Sequence, residues 1–251
     1  ILEDFLKNEC KNITHPSSAC FAVAGPLSKN NAQIINLSWN ISGNYLQNKF
    51  NFKSCELIND FAVQIYGIPY LKNNQYTTIQ NGLHSENANN DLHAIVGAGT
   101  GLGIARGIIS EKKVKVLASE GGHAEYSPKS KSEWELKNWL KNYLKVERIS
   151  CERIVSGTGL SRIAEWRLSK PDAQNHPLQK YFKKIKISDV ARKELPEKIC
   201  NFSQEGDQLM IEVERIWLGA YASLLGDIAL QELCFGGLWI SGGTASKHFK
   251  N

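Results

Sequence analysis

No apolar stretch of the 251-residue sequence approaches the roughly 18 consecutive residues a membrane-spanning helix needs, so no membrane partner is expected. The six cysteines (Cys10, Cys20, Cys55, Cys151, Cys200 and Cys234) stand singly. With no C-x-x-C pair, neither a zinc ribbon nor a thioredoxin-type redox site is indicated. Several lie in apolar runs such as Ala19-Cys20-Phe21, the setting of a buried free thiol, and a reducing compartment is the simplest reading. There is no H-E-x-x-H, and His123-x-Glu125 lacks the P-C-x-x-C partner of a zinc deaminase. Dense Lys/Arg blocks interleaved with aromatics are missing too, which argues against nucleic acid. Positive charge is only slightly in excess, at 30 Lys and Arg against 25 Asp and Glu. A solvated lysine surface or a cationic cleft for a phosphorylated ligand both suit that balance. Methionine is rare: Met210 stands alone, and position 1 is Ile.

What is present reads as an ordinary globular chain, with 42% hydrophobic and 22% charged residues and length enough for one large domain or two modest ones. Ala19 to Ala24 is a buried-strand run stopped at Gly25-Pro26, and Ala32 to Ser38 reads as a second strand. Leu57-Ile58 leads into Asn59-Asp60 and then Phe61, Ala62, Ile65 and Tyr66 at helical spacing, a capped helix start with a carboxylate at the junction. Residues 73–90 read as an exposed polar loop. His93 to Val96 is a strand, and Ile104–Ile109 with Val114–Leu117 forms a hairpin. Trp134, Leu136, Trp139, Leu140, Tyr143 and Leu144 outline an amphipathic helix. A longer helix spans Asp207 to Leu233, with Met210, Val213, Trp217, Ala220, Leu224 and Ile228 on one stripe. Leu238-Trp239-Ile240 is a final strand ending at a Gly-Gly turn. Strands alternating with helices, hairpins among them, predict an α/β fold with a mixed sheet.

Five segments carry polar chemistry, one of them Gly242-Gly243-Thr244, which reads as a nucleotide-contacting turn or as a strand turn before a helix. Gly97 to Gly103 has glycine at alternate positions, so its backbone can approach a ligand and turn N–H groups toward an anion. It is neither a dinucleotide G-x-G-x-x-G opening a helix nor a P-loop, because no Lys follows Gly103. What remains is a phosphate-cradling loop with Thr100 as a hydroxyl donor, or a tight hairpin between strands. Glu120-Gly-Gly-His123 sets a carboxylate and an imidazole three residues apart, suited to a polyhydroxylated ligand or equally to a solvated turn. Asp60 reads as a general base or as the cap of the following helix. Glu152 beside Arg153 reads as a ligand or as a surface ion pair.

Taken in order, these segments resemble the bacterial glucokinase family, hexokinase-like members of the actin-like ATPase superfamily. The match is carried by Ala24-Gly25-Pro26, Ile35-Asn36-Leu37-Ser38-Trp39, Leu57-Ile58-Asn59-Asp60-Phe61 and Gly97 to Gly103. It continues through Glu120 to Pro128, Cys151 to Leu160 and Ile240-Ser-Gly-Gly-Thr244. The resemblance implies a two-lobed, ribonuclease H-like α/β fold with mixed sheets. Residues 1–70 would be the remainder of a small N-terminal lobe carrying the catalytic Asp, and 71–251 a large lobe with the sugar- and nucleotide-binding loops.

It also implies ATP-dependent phosphorylation of glucose at the 6-hydroxyl, with Mg2+, in the cytoplasm, and it leaves homodimerisation open. Asp60 is then the base that takes the 6-hydroxyl proton. Asn59, Glu120, His123 and Glu152 are glucose ligands, Gly99, Thr100 and Gly101 hold nucleotide phosphate, and Gly242 and Gly243 lie on the adenosine side. A kinase for another hexose, or a non-catalytic sugar-binding regulator, are the alternatives. Two departures stand out. The family's first strand–turn motif, D-x-G-G-T, has no counterpart before Ala19, and the family continues beyond the Gly-Gly turn. The chain therefore reads as a fragment truncated at both termini.

Overall fold

The computed structural model describes residues 1–11, 15–25, 27–34, 37–82, 92–110, 113–185 and 189–248. Within the segments singled out above, Pro26, Ile35, Asn36 and residues 83–90 lie outside the described residues. The chain divides into two compact units, Ile1–Tyr70 and Leu71–Asn251.

The first unit runs α1 (Leu2–Asn8), β1 (Ser18–Val23), β2 (Leu27–Ser28), β3 (Asn31–Ile34), β4 (Trp39–Ser42), α2 (Gly43–Lys49), β5 (Ser54–Asn59) and α3 (Val63–Gly67). The apolar run at Ala19 becomes β1, which pairs in parallel with β5 from Ser18 opposite Ser54 to Val23 opposite Asn59. The strand expected over Ala32 to Ser38 is corrected to a shorter one. β3 ends at Ile34, Ser38 takes a left-handed φ of 51°, and β4 folds back antiparallel with Trp39 opposite Ile34. A local turn thus breaks a run whose composition reads as continuous strand. Asn30 ties this β2–β3–β4 meander to β5. Its Nδ2 donates to the Cys55 carbonyl at 2.9 Å and its Oδ1 accepts from the Leu57 N–H at 2.9 Å. Val23, Ala32 and Leu57 form the small core between them.

The second unit contains β6 (Leu92–Ala98), β7 (Leu102–Ser110), β8 (Lys113–Ala118), α4 (Lys131–Leu144), α5 (Gly157–Leu168), α6 (Gln179–Ile185), α7 (Asp189–Gln204), α8 (Gln208–Glu232), β9 (Gly237–Ser241) and α9 (Gly243–His248). The sheet order is β8-β7-β6-β9, antiparallel except for the parallel β6–β9 pair. In α8 the expected stripe from Met210 to Ile228 is buried throughout, because residues three or four apart share one face. Asp207 caps that helix by accepting from the Met210 N–H at 2.9 Å. Tyr221 joins the stripe, and its hydroxyl donates to the Val96 carbonyl in β6 at 3.1 Å. Trp217 Nε1 donates to the Ser156 carbonyl just before α5, also at 3.1 Å. Two fully buried aromatics therefore fix the sheet and the start of α5 to one rigid helix. In α4 only part of the expected face is core: Leu136 and Leu140 are buried, whereas Trp134 is 57% exposed.

Candidate active site

In the first unit the site residues sit where β5 ends. Asn59 closes the β1–β5 ladder, and its side-chain Oδ1 accepts from the Phe61 and Ala62 N–H groups, both at 3.0 Å. Asn59 is thus the residue that satisfies the free amides ahead of α3. Helix α3 has Ala62 at its N-cap position and no side-chain cap, which corrects the reading of Asp60 as the cap. The Asp60 N–H donates to the Val23 carbonyl at 3.0 Å, carrying the β1–β5 pairing one residue further. Its carboxylate is exposed and has no hydrogen bond or ion pair among the described residues. The Nδ2 of Asn59 likewise retains its donors.

In the second unit, the glycine-rich run is mostly strand. Gly97 pairs with Gly103 and Ala98 with Leu102, so the expected seven-residue loop shrinks to a hairpin tip, Gly99-Thr100-Gly101. The two readings of this run are therefore compatible: it is a tight hairpin, and its tip is what remains to cradle a ligand. The tip stands where β6 and β9 both end, beside the first turns of α5 and α9. Gly99 N–H donates to the Gly101 carbonyl at 2.9 Å, and the Gly99 carbonyl accepts from Gly157 N–H at 2.8 Å. Two hydroxyls reach the same tip, one from the Gly242-Gly243-Thr244 turn and one, Thr158, with no role assigned from the sequence. Thr244 Oγ1 donates to the Gly99 carbonyl and Thr158 Oγ1 to the Thr100 carbonyl, each at 3.1 Å. Thr100 Oγ1 makes no hydrogen bond among the described residues.

The glycines here divide by cause. Gly242 has φ +95°, and a Cβ there would overlap the Ala98 backbone. A Cβ on Gly101 would stand 2.8 Å from Glu152 Oε2. Gly99 and Gly243, by contrast, have open space where a Cβ would be and no positive φ. Their lack of a side chain leaves room beside the backbone, as close approach of a ligand requires.

Glu152 belongs to a 3-10 turn, Cys151–Arg153, that packs against the 3-10 turn Gly121–His123. The two are joined by the Cys151 N–H donating to the Ala124 carbonyl at 2.8 Å. Glu152 forms no ion pair with Arg153. Its Oε2 instead accepts from Leu102 N–H at 3.2 Å, at the foot of the hairpin tip. Its own carbonyl accepts from Ser156 Oγ at 2.7 Å, and that hydroxyl in turn accepts from Gly159 N–H at 2.9 Å, capping α5. Gly122 is buried where a Cβ would stand 2.5 Å from the Leu102 carbonyl oxygen. Glycine is therefore required to seat this turn on β7. The flanking Glu120 and His123 point to solvent, 70% and 58% exposed, with Glu120 Oε2 3.7 Å from His123 Nε2. Glu120, His123, Glu152 and the hairpin tip thus lie on neighbouring elements of one unit, while Asn59 and Asp60 belong to the other.

Among the described residues, no three His, Cys, Asp or Glu side chains group as a metal cage. Mg2+ commonly keeps several waters and binds through phosphates and one or two carboxylates.

The mixed α/β architecture, with two units and a β8-β7-β6-β9 sheet, is consistent with the actin-like ATPase fold. A crystal structure of glucokinase from an Antarctic psychrotroph superposes with a TM-score of 0.76 at 27% identity, covering 99% of this chain and 70% of that one. A ROK family glucokinase from Streptomyces griseus, in complex with glucose and AMPPNP, shares the fold with a TM-score of 0.53 at 18% identity, over 90% of this chain and 65% of that one. The sequence pattern of the Glucokinase family matches residues 1–251, and the chain belongs to that family. The glucokinase of Synechocystis sp. is 35% identical over 240 residues, 92% of this chain. The chain spans 66% of that relative's length.

Proposed function

We propose that the protein phosphorylates glucose at its 6-hydroxyl, taking the phosphoryl group from ATP and releasing glucose 6-phosphate and ADP. The observation that carries the reading is the division of labour at the end of β5. Asn59 accepts from the Phe61 and Ala62 N–H groups, while the Asp60 carboxylate stands exposed and without a bond among the described residues, open to a substrate hydroxyl. In this reading Asp60 accepts the 6-hydroxyl proton as that oxygen attacks the γ-phosphate. The carboxylates of Glu120 and Glu152, the His123 imidazole and the Asn59 amide hydrogen-bond the remaining hydroxyls. A site that satisfies each hydroxyl rejects analogues lacking one, because its own polar groups are then left unpaired.

The hairpin tip Gly99-Thr100-Gly101 receives the phosphates on backbone N–H groups and the Thr100 hydroxyl. Gly242 and Gly243 face the adenosine. Mg2+, when bound with ATP, neutralises charge on the transferring phosphate. The two units act as the small lobe bearing the base, residues 1–70, and the large lobe bearing the sugar and nucleotide loops, residues 71–251. The cytoplasm, where ATP is available, is the compartment of such an enzyme. Six cysteines without a disulfide suit its reducing conditions. Homodimerisation is read directly by sedimentation velocity.

The test is a coupled assay of sugar-phosphate formation by the full-length protein with glucose, mannose and N-acetylglucosamine, comparing kcat/KM. A clear preference for glucose is expected. Equal values would overturn glucose specificity, and glucose binding without turnover would favour a sugar-responsive regulator.

A further inference from the structure

The hairpin tip is a three-residue segment whose backbone polar groups divide cleanly. All three carbonyls are engaged. Gly99 O accepts from Gly157 N–H and Thr244 Oγ1, Thr100 O accepts from Thr158 Oγ1, and Gly101 O accepts from Gly99 N–H. The N–H groups of Thr100 and Gly101 and the Thr100 hydroxyl have no partner among the described residues. Acceptors are therefore consumed by the protein and donors left over, the polarity an anion requires.

Thr100 lies between two glycines, so the peptide planes on either side of it rotate at little steric cost. A flip would send a carbonyl oxygen toward the space that the free donors face. Two hydroxyls oppose such a flip, and they arrive from different elements, Thr158 from the first turn of α5 and Thr244 from the first turn of α9. Space at the clamp is fully used: a Cβ on Gly157 would stand 3.2 Å from both the Gly99 carbonyl and Thr244 Oγ1. The α5 helix is itself anchored, through the Ser156 cap and the Trp217 Nε1 bond to the Ser156 carbonyl.

We propose that Thr158 and Thr244 are positioning residues that hold the tip with its carbonyls turned inward and its N–H groups presented to the phosphates of ATP. They set nucleotide affinity without being assigned any contact with the nucleotide. This rests on the reading of the tip as the phosphate site. Valine at either position keeps the shape and removes the donor, and one lost hydrogen bond of this kind corresponds to a roughly five-fold change in affinity.

The experiment uses the full-length protein and its Thr158→Val, Thr244→Val, doubly substituted, Thr158→Ser and Thr244→Ser forms. A non-hydrolysable ATP analogue and, separately, glucose are titrated into each by calorimetry. Each valine form is expected to bind the analogue about five-fold more weakly, and the double form about 20-fold or more. Serine should restore the affinity, and glucose affinity should be unchanged in every form. Valine forms that bind the analogue as tightly as the parent would overturn the clamp while leaving the phosphate site standing. An equal loss of glucose affinity would mark a merely structural role and overturn it too. A parent protein that binds glucose but not the analogue would remove the phosphate reading and the clamp together.

Discussion

Replacing Gly101 by alanine separates the role of Glu152 from that of the fold. The added Cβ would stand 2.8 Å from Glu152 Oε2, whereas ordinary contact begins near 3.4 Å. The atom that must yield is the end of a flexible side chain, so the carboxylate withdraws by about 0.6 Å and the backbone stays in place. That retreat takes Oε2 from 3.2 Å off the Leu102 N–H to beyond hydrogen-bond range. A hydrogen bond to a charged group contributes about 1.5 to 3 kcal/mol, and the displaced carboxylate recovers part of this from water. In the proposed site the displaced carboxylate also loses its bond to a sugar hydroxyl, and a net loss of about 1 to 2 kcal/mol there is equivalent to a glucose KM roughly 5- to 30-fold higher. Steady-state kinetics at saturating ATP, with a thermal melt of the same sample, read the two consequences separately. A KM rise with Tm lowered by no more than a few degrees is the expected pair. An unchanged glucose KM would show that Glu152 is not a sugar ligand, and a Tm collapse would show that Gly101 is needed for folding instead.

Gly122→Ala should behave in the opposite way, because its Cβ would meet the Leu102 carbonyl at 2.5 Å and backbone cannot retreat as a side chain does. A loss of about 2 kcal/mol or more, read by chemical denaturation, is expected. Trp217→Phe removes the bond to the Ser156 carbonyl and leaves a void in a fully buried site. It should cost about 2 to 4 kcal/mol in the same measurement. Tyr126 is buried and donates to Glu133 at 2.5 Å, and burial followed by this bond pushes its phenol well above the usual tyrosine range. The raised group stabilises the fold fully below pH 10 and loses that contribution as pH rises through the folded-state value. Stability should therefore fall above pH 10 by about 1.4 kcal/mol per pH unit from this group, a slope absent in Tyr126→Phe.

Local periodicity makes β1, the β7–β8 hairpin and α8 legible in the sequence, since each depends on residues close along the chain facing one side. The Ala32–Ser38 run misled because the chain reverses between Ile34 and Trp39, with Ser38 left-handed, against the strand preference of its apolar residues. The glycine-rich run read as a loop because glycine disfavours strands, yet pairing along seven registered positions of β6 and β7 overrides that preference. At the site, the residue types were legible and the partners were not. Asn59 on the Phe61 and Ala62 amides, Glu152 on Leu102 and the two threonines on the hairpin tip are all bonds between side chain and backbone. Those of Glu152, Thr158 and Thr244 close 50, 58 and 145 residues apart, beyond the reach of any local pattern. Glycine itself could have pointed to the ligand side, but only geometry separates Gly99 and Gly243, open to space, from Gly101 and Gly242, which packing demands.

The measurement that bears most directly on the central claim is glucose 6-phosphate formation by the full-length protein and its Asp60→Asn form, with glucose affinity measured in parallel. Loss of a general base predicts turnover lowered by roughly 100- to 10,000-fold while glucose affinity changes little. Asparagine keeps the shape of the residue, and no other described residue leans on that carboxylate, so folding should be intact. Turnover within a few-fold of the parent would contradict the assignment of Asp60 as the base on which the proposed reaction depends.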